Sequence, residues 1–353
     1  MQSKGLFGTY RLILAALVVG LHIGGIQAIG SYAVFGFYAL SGYLMTLITH
    51  ERYGFTKTGI FLYFGNRILK LYPLYIGSIL FTIVLITYLP SNFYEKYHPT
   101  MFLPGSLLGW LSNLSIIFGL GFKGFEITSR LTPPAWALTV ELFFYLAIGL
   151  GVSRTKRITV IWFGMSILYH IIVVSASLSW WWKYFSFLGA SLPFSTGAML
   201  YHYRDSVTRL GFYFSTRTGL ITLSFFFALN WWVAMQIDWR GAPFYINFAI
   251  FSCALMGCMA RGGNKKTKRL DTRLGDLSYP LYLIHYQAGL ATIFVSSMLG
   301  LDLQRPSLEL LAITLPVSLL LAFSLSVLID RPIERLRCRL RPQPVTESNS
   351  SKL

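Results

Sequence analysis

The sequence predicts an all-α integral membrane protein of about ten transmembrane helices, and three observations support this prediction. Apolar residues make up 54% of the 353 residues and charged residues only 12%, about half the charged fraction of an average soluble domain. Ten apolar stretches are long enough to cross a hydrocarbon core of about 30 Å. The basic residues concentrate in alternate connecting segments. This composition excludes a disordered chain, a coiled coil and a soluble nucleic-acid-binding protein.

The predicted membrane helices follow one another along nearly the whole chain. They lie near residues 8–26, 31–49, 69–89, 134–150, 158–176, 184–201, 218–235, 244–260, 278–299 and 308–329. An eleventh apolar stretch, 105–120, is shorter and is interrupted by glycine and asparagine. We therefore predict one polytopic membrane domain over residues 1–335. Residues 336–353 are predicted to form a cytoplasmic tail that is first basic and then disordered.

The distribution of Lys and Arg predicts the orientation of these helices. With a cytoplasmic N-terminus and ten alternating spans, 24 of the 30 basic residues fall in cytoplasmic segments. The other six are Lys96, Lys123, Arg130, Lys183, Arg240 and Arg305. Such an excess marks the cytoplasmic side, so both termini are predicted to be cytoplasmic. If 105–120 were a further span, the basic loop 261–269 would lie outside, and 105–120 is therefore predicted to be re-entrant or interfacial.

We attribute the net charge of +17 mainly to the basic cytoplasmic segments and only secondarily to a site for an anionic ligand. The basic loop 261–269 has no interleaved aromatic residues, so no nucleic-acid partner is expected. The three cysteines, Cys253, Cys258 and Cys338, do not have metal-ligand spacing. We therefore expect neither a structural zinc site nor a disulfide framework, and no metal cofactor.

His22, Glu141 and His285 are among the few ionisable residues within predicted spans, where a charge costs about 3 kcal/mol on insertion scales. His22 is placed about 16 Å above Arg11, and Glu141 about 10 Å below the outer surface, at 1.5 Å per residue. These depths are similar, which makes His22 and Glu141 a candidate proton-handling pair. His285 is placed only about 10 Å above the inner face. A structural hydrogen bond between helices is the alternative explanation for such residues.

Two further segments carry candidate binding residues. In the second span, Ser41 and Tyr43 of FYALSGYL could donate hydrogen bonds to a substrate, whereas small Ser41 and Gly42 could simply permit close helix packing. Before the third span, Arg67 and Lys70 of NRILKLYP are three residues apart and share a helix face. They could bind phosphate groups together or anchor the helix at anionic lipid.

Five elements of the sequence together resemble the acyltransferase 3 family of integral membrane acyltransferases. They are Arg11 and His22 with ten residues between them, FYALSGYL, NRILKLYP, PPAWALTVE and LGDLSYPLYLIHY, in that order. The resemblance extends over roughly residues 8 to 335. It implies transfer of an acyl group, usually acetyl, from cytoplasmic acetyl-CoA to a hydroxyl of a cell-surface or lipid-linked glycan, such as O-antigen or exopolysaccharide. It also implies a bacterial cytoplasmic (inner) membrane, and we expect a stand-alone form without a fused extracytoplasmic esterase-like domain.

The resemblance also assigns roles to individual residues. Arg11 and His22 match the arginine and histidine of one family motif, and Trp136 and Glu141 match the tryptophan and glutamate of another. The second basic residue of NRILKLYP is Lys70, where the family often has arginine, so bidentate binding is lost while the charge is kept.

From these roles we expect His22 to be the general base and Glu141 to orient it, because a hydroxyl is a weak nucleophile and histidine has an unperturbed pKa near 6.5. An acyl-His22 intermediate stays open. Arg11, Arg67 and Lys70 are expected to bind the phosphates of CoA. The substrate path is expected to include Ser41, Tyr43, Trp136, Tyr282 and His285.

A transporter or flippase of lipid-linked sugars is the competing hypothesis. Such a protein would also have about ten spans and intramembrane charges, and it would often show internal repeats. The sequence shows no internal repeat. A scaffold without a small-molecule site would leave the intramembrane Glu and His residues unexplained.

Overall fold

The computed structural model of this protein describes residues 5–118 and 129–340. Over these ranges the chain forms helices and connecting turns, with no strand. The α-helices in chain order are α1 (Gly8–His22), α2 (Ile29–Ile48), α3 (Lys57–Tyr88), α4 (Ser91–Tyr97), α5 (Leu107–Ser115), α6 (Trp136–Gly149), α7 (Lys156–Ser175), α8 (Phe187–His202), α9 (Arg204–Ser215), α10 (Arg217–Gln236), α11 (Ala242–Ala260), α12 (Lys265–Met298), α13 (Leu308–Leu325) and α14 (Arg331–Leu340).

The predicted fold class is confirmed, since the chain is an all-α membrane protein. Most of each predicted stretch lies in one α-helix, and no stretch extends more than four residues beyond that helix. The largest differences are at 8–26, since α1 ends at His22, and at 308–329, since α13 ends at Leu325. Within the described ranges, six helices are long and apolar enough to cross a membrane, namely α2, α3, α7, α10, α11 and α13 with their adjoining helical turns. Helices α1 and α6 are apolar but shorter. The total of ten spans stays a prediction, and the disordered tail predicted after α14 lies outside the described residues.

Helix α2 is the central helix of the bundle. It contacts α1, α6, α8 and α11. Of the residues in its apolar 18-residue segment, 78% are buried, whereas only 17% are buried in the corresponding segment of α10. Glycines allow α2 and α8 to meet closely, since a Cβ atom on Gly42 would lie 2.1 Å from the carbonyl oxygen of Phe194. A Cβ atom on Gly197 would lie 2.0 Å from the carbonyl oxygen of Ala39. The structure thus gives Gly42 the packing role that the sequence left open.

Helices α1 and α12 run side by side in the same direction. The carboxylate of Asp271 accepts hydrogen bonds from the backbone N–H groups of Gly8 and Thr9, each at 2.8 Å, and so caps the first turn of α1. Fourteen residues further along both helices, His22 contacts His285. A Cβ atom on Gly8 would lie 1.7 Å from the carbonyl oxygen of Asp271. The close approach therefore requires glycine and fixes the register of the two helices.

The 105–120 stretch contains α5, whose nine residues span only about 14 Å at 1.5 Å per residue. Its leucines, such as Leu111, are exposed, whereas Asn113 is buried. The Asn113 side chain accepts from the N–H of Leu131 at 2.8 Å and donates to the carbonyl oxygen of Ser129 at 3.1 Å. Asn113 thus ties α5 to the segment that leads into α6. The re-entrant or interfacial position of this stretch stays a prediction. Residues 119–128 lie outside the described ranges.

Two carbonyl groups at the C-terminal end of α5 accept hydrogen bonds from tyrosine hydroxyl groups of α3. Tyr75 donates to the carbonyl oxygen of Asn113 at 2.6 Å, and Tyr72 donates to that of Ser115 at 2.7 Å. A helix end within hydrocarbon needs such partners because no water is present to replace them. These bonds explain how the short helix α5 packs beside α3 with carbonyl groups at its end still hydrogen-bonded.

The predicted orientation can be tested by labelling single cysteines in intact cells. In a background without Cys253, Cys258 and Cys338, we expect a membrane-impermeant maleimide to label Asp302→Cys and to label Lys266→Cys only after lysis. Both positions are exposed, so access depends on the side of the membrane. Labelling of Lys266→Cys alone in intact cells would contradict the predicted topology.

Candidate functional site

A cavity of about 440 Å³ lies between α1, α2, α3, α6, α12 and α14. Its polar lining includes Arg11, Ser41, Arg67, Lys70, Glu141, Tyr145, Asp276, Glu334 and Arg337. One end lies at α14 and the first half of α12, which we predict to be cytoplasmic, and the other end reaches Tyr282 and Ala137. The cavity therefore joins the basic end of the bundle to the middle of its helices.

The two basic residues of α3 differ in how strongly they are engaged. Lys70 Nζ lies 2.8 and 2.9 Å from the carboxylate oxygens of Asp330, so its charge is paired. Arg67 donates to Asn66 Oδ1 at 3.2 Å and contacts Met45 Sδ at 3.6 Å, and its buried Nε has no partner among the described residues. Arg67 thus keeps an unused donor for an anion, whereas Lys70 is already neutralised.

Glu141 lies in this cavity, held by two hydroxyl groups. Ser41 Oγ donates to Oε1 at 2.9 Å, and Tyr145 Oη donates to Oε2 at 3.1 Å. The guanidinium of Arg11 lies within electrostatic reach of Glu141, Tyr145 and Arg67. Within the described ranges, the Arg11 side chain makes no hydrogen bond or ion pair. Arg11 therefore offers a cation with free donors to a ligand that enters the cavity.

His22 and His285 form a pair beyond the end of the cavity that reaches Tyr282. His22 Nδ1 lies 3.0 Å from His285 Nε2, and the two rings are nearly parallel, with centroids 5.2 Å apart. His285 Nδ1 lies 2.8 Å from the carbonyl oxygen of Tyr282. His285 is fully buried and His22 is half-buried. Of the two rings, that of His22 is the more accessible to a substrate.

The predicted depth of His285 was wrong, because the structure places it level with His22. The sequence estimate counted α12 from the start of its apolar run, whereas α12 begins at Lys265 and pairs with α1 from Asp271 onward. The expected contact between Glu141 and His22 is also not formed. Among the described residues no hydrogen bond or ion pair joins them, and Glu141 instead contacts Ser41 and Tyr145.

Arg305, which the sequence did not single out, holds the end of α1. It donates from Nη1 to the carbonyl oxygen of His22 and from Nε to that of Tyr97, both at 3.0 Å. Its guanidinium also lies over the rings of Tyr97 and Tyr286, at 4.9 and 5.2 Å. Nearby His98 has its pKa lowered to about 4 by burial and by the charges of Arg305 and Arg130, so it is neutral at pH 7. The only sequence signal for Arg305 was its place among the few basic residues on the outer side.

Tyr282 separates the cavity from the histidine pair. Its hydroxyl donates to the carbonyl oxygen of Pro134 at 2.7 Å, and its ring packs against Phe37 with centroids 6.1 Å apart. Tyr282 lines the cavity, whereas His22 and His285 do not. Tyr282 is also the lining residue that contacts the pair, with its ring centroid 6.3 Å from that of His285.

The remaining expected path residues divide into two groups. Ser41 and Tyr282 line the cavity, and Tyr43 and Trp136 do not. Tyr43 packs on Phe7 at 5.6 Å, and Trp136 packs on Phe185 at 4.7 Å, between ring centroids.

Within residues 5–118 and 129–340, no group of three or more His, Cys, Asp or Glu side chains could hold a metal ion.

Comparison with known proteins identifies the family. The acyltransferase 3 family model, described as an acyltransferase domain, matches residues 9–331, which is nearly the whole chain. No curated protein and no solved structure matches the chain. A family match of this extent includes every helix that lines the cavity except α14, together with both histidines of the pair. The chain belongs to the acyltransferase 3 family and is a multi-pass membrane acyltransferase.

Proposed function

We propose that this protein transfers an acyl group, most simply acetyl, from cytoplasmic acyl-CoA to a hydroxyl of a cell-surface or lipid-linked glycan. The observation that carries the proposal is the cavity, which has cations at its basic end and reaches toward the middle of the bundle. Acyl-CoA has a matching form, with a phosphate-bearing head at one end and a thioester at the end of a long, narrow arm. In this proposal the membrane is the bacterial inner membrane.

The donor end of the proposed site is built by Arg11 and Arg67. Both line the cavity, and both have guanidinium N–H groups without a partner among the described residues. Arginine suits phosphate because its planar N–H groups can make paired hydrogen bonds to two oxygens. We assign Lys70 a secondary role, since it can reach a phosphate only when its ion pair with Asp330 opens.

The chemical step needs a base and a positioned thioester. His22 accepts the proton of the acceptor hydroxyl as the oxygen attacks the acyl carbon, and the carbon–sulfur bond breaks with its electron pair leaving on the CoA thiolate. The protonated His22 then returns its proton to the thiolate or to water. Because the thioester is already activated, positioning and proton removal supply most of what is needed.

In the proposed site Glu141 acts from the donor side and not as the partner of His22. Its carboxylate is held by Ser41 and Tyr145 and lies close enough to Arg11 to interact with its charge. It thus keeps the Arg11 guanidinium directed into the cavity, where a phosphate or a thioester carbonyl group would meet it. Glu141 therefore acts on Arg11 and not on His22.

The proposed reaction can be tested directly with purified protein in lipid vesicles. The protein is incubated with acetyl-CoA that carries a radiolabelled acetyl group, with and without a panel of lipid-linked glycans. We expect free CoA to appear and label to pass to the glycan only when a suitable acceptor is present. A protein that neither binds acetyl-CoA nor releases CoA with any acceptor would contradict the proposal.

Replacement of His22 tests the proposed base. We expect His22→Ala to lower kcat by about 10²- to 10⁴-fold, the usual contribution of a general base, while acetyl-CoA binding is kept. His202→Ala is the matched control, because His202 contacts the carbonyl oxygen of Ser153 at 2.9 Å, away from the cavity. Binding isotherms and turnover measured on the same preparations separate the two effects. An active, well-folded His22→Ala protein would remove His22 from the mechanism.

Replacement of Arg67 tests the donor end. We expect Arg67→Ala to weaken acetyl-CoA binding by about tenfold or more, since a charged hydrogen bond contributes about 1.5–3 kcal/mol. The affinity for the acceptor should stay unchanged. Arg209→Ala is the control, because Arg209 is exposed on α9 and does not line the cavity. Equal CoA affinity in both variants, measured by calorimetry, would contradict phosphate binding by Arg67.

Replacement of Glu141 tests its charge. Glu141→Gln keeps the size of the side chain and an oxygen that can accept from Ser41, but it removes the negative charge near Arg11. We expect kcat/KM for acetyl-CoA to fall at least about tenfold, equivalent to about 1.4 kcal/mol. The melting temperature should change little. Glu309→Gln, at an exposed position of α13, is the control, and a loss of activity matched by loss of folding would indicate a structural role instead.

A further inference from the structure

We propose that His285 is a positioning residue that fixes the tautomer of His22 and thereby makes Nε2 of His22 the basic nitrogen. This inference rests on the proposed function, in which His22 is the base. The sequence placed His285 lower in the membrane and gave it only a place on the substrate path. The structure instead brings its ring to within hydrogen-bond distance of His22.

The hydrogen bonds of His285 determine which nitrogen carries its proton. The carbonyl oxygen of Tyr282, 2.8 Å from His285 Nδ1, can only accept a hydrogen bond. Nδ1 therefore carries the proton, and in a neutral imidazole Nε2 is then an acceptor. The 3.0 Å contact between His285 Nε2 and His22 Nδ1 consequently needs its proton from His22. With Nδ1 protonated, neutral His22 has its lone pair on Nε2.

A doubly protonated His285 would reverse this arrangement, and its surroundings disfavour that state. His285 is fully buried, and among the described residues no carboxylate forms an ion pair with it. The cation of Arg305 binds the carbonyl oxygen of His22, the partner of His285, and so adds a positive charge to this region. A buried cation without a counter-ion is costly. The neutral form of His285 therefore prevails and acts as a hydrogen-bond acceptor.

The other nitrogen of His22 is free to act on a substrate. Within residues 5–118 and 129–340, His22 Nε2 makes no hydrogen bond, and the His22 side chain is half-buried. The ring is held on one side by His285 and on another by Tyr286, with centroids 5.1 Å apart. Nε2 is thus oriented by packing while its lone pair stays available. A neutral histidine partner orients the base as the aspartate of a serine protease triad does, without adding a charge in the membrane.

The tautomer can be measured without any assay of activity. In protein labelled with ¹⁵N at histidine, the signals of His22 are assigned by their loss in His22→Ala. We expect the His22 Nδ1 signal to be that of a protonated nitrogen and the Nε2 signal to be that of an unprotonated one. In His285→Leu we expect both tautomers to be populated. A wild-type His22 protonated at Nε2 would overturn the proposal.

Kinetics provide a second test, with a variant designed to restore the hydrogen bond. The amide oxygen of His285→Gln can take the place of Nε2 and accept from His22 Nδ1, whereas the side chain of His285→Leu cannot. We expect His285→Leu to lose about 100-fold in kcat, within the range for loss of general-base catalysis, with KM for acetyl-CoA unchanged. His285→Gln should stay within about tenfold of wild type. Equal losses in two folded variants would overturn the proposal.

The two tests also separate this inference from the proposed function. If the wild-type protein transfers no acetyl group but shows the expected tautomer, the proposed function fails and the positioning role of His285 stands. If His285→Leu fails to fold, the tautomer of His22 in the wild type and in His285→Gln decides the question. A mixture of tautomers in the wild type would then count against the proposal.

Discussion

The pairing of α1 with α12 is the constraint on which the rest of the site depends. It is fixed at one end by the carboxylate of Asp271, which caps α1, and by the contact of Gly8 with the α12 backbone. Because the two helices run in the same direction, a register set at this end is transmitted through about 21 Å, fourteen residues at 1.5 Å each. At the other end it brings His22 to His285. A shift of one residue would rotate each ring by about 100° and break this contact.

Polar groups inside the bundle are placed where a neighbouring helix can satisfy them. Glu141 receives two hydroxyl donors, and the end of α5 receives those of Tyr72 and Tyr75. Such bonds are expected where no water is available. The exceptions are informative, because Arg11 and Arg67 keep unused N–H groups in a cavity. In our proposal these N–H groups bind the acyl-CoA donor, because they have no acceptor within the protein among the described residues.

The two parts of the proposed site are separated by Tyr282 and Phe37. In the proposed reaction, the donor lies on one side of these rings and the acceptor hydroxyl meets His22 on the other. That reaction requires a movement, because the acyl carbon must come within reach of a hydroxyl held by His22. Pro280, inside α12 and two residues before Tyr282, removes one helical hydrogen bond close to the barrier. The backbone is thus less constrained where that movement is needed.

The sequence by itself determined the fold class, the positions of the helices and the family. These features follow from local composition and from ordered motifs, and most of each of the ten predicted stretches lies in one α-helix. Gly109 and Asn113 marked α5 as a segment too short and too polar to span the membrane. The sequence also identified Glu141, His22 and His285 as residues that need a partner or a function in a membrane, because burying a polar group there is costly unless another group satisfies it.

Only the tertiary structure decided which of these residues meet. Depth was counted along each helix from its predicted entry into the membrane, but helices enter at different levels, and α12 pairs with α1 seven residues before its apolar run begins. The depth estimate therefore paired His22 with Glu141. In the structure, His22 contacts His285, and Glu141 accepts hydrogen bonds from Ser41 and Tyr145. The sequence gave Arg305 no role in the site, since it acts through backbone carbonyl groups that carry no side-chain signature. The sequence specifies which polar groups each helix carries, and the register between helices determines which of these groups come within hydrogen-bond distance.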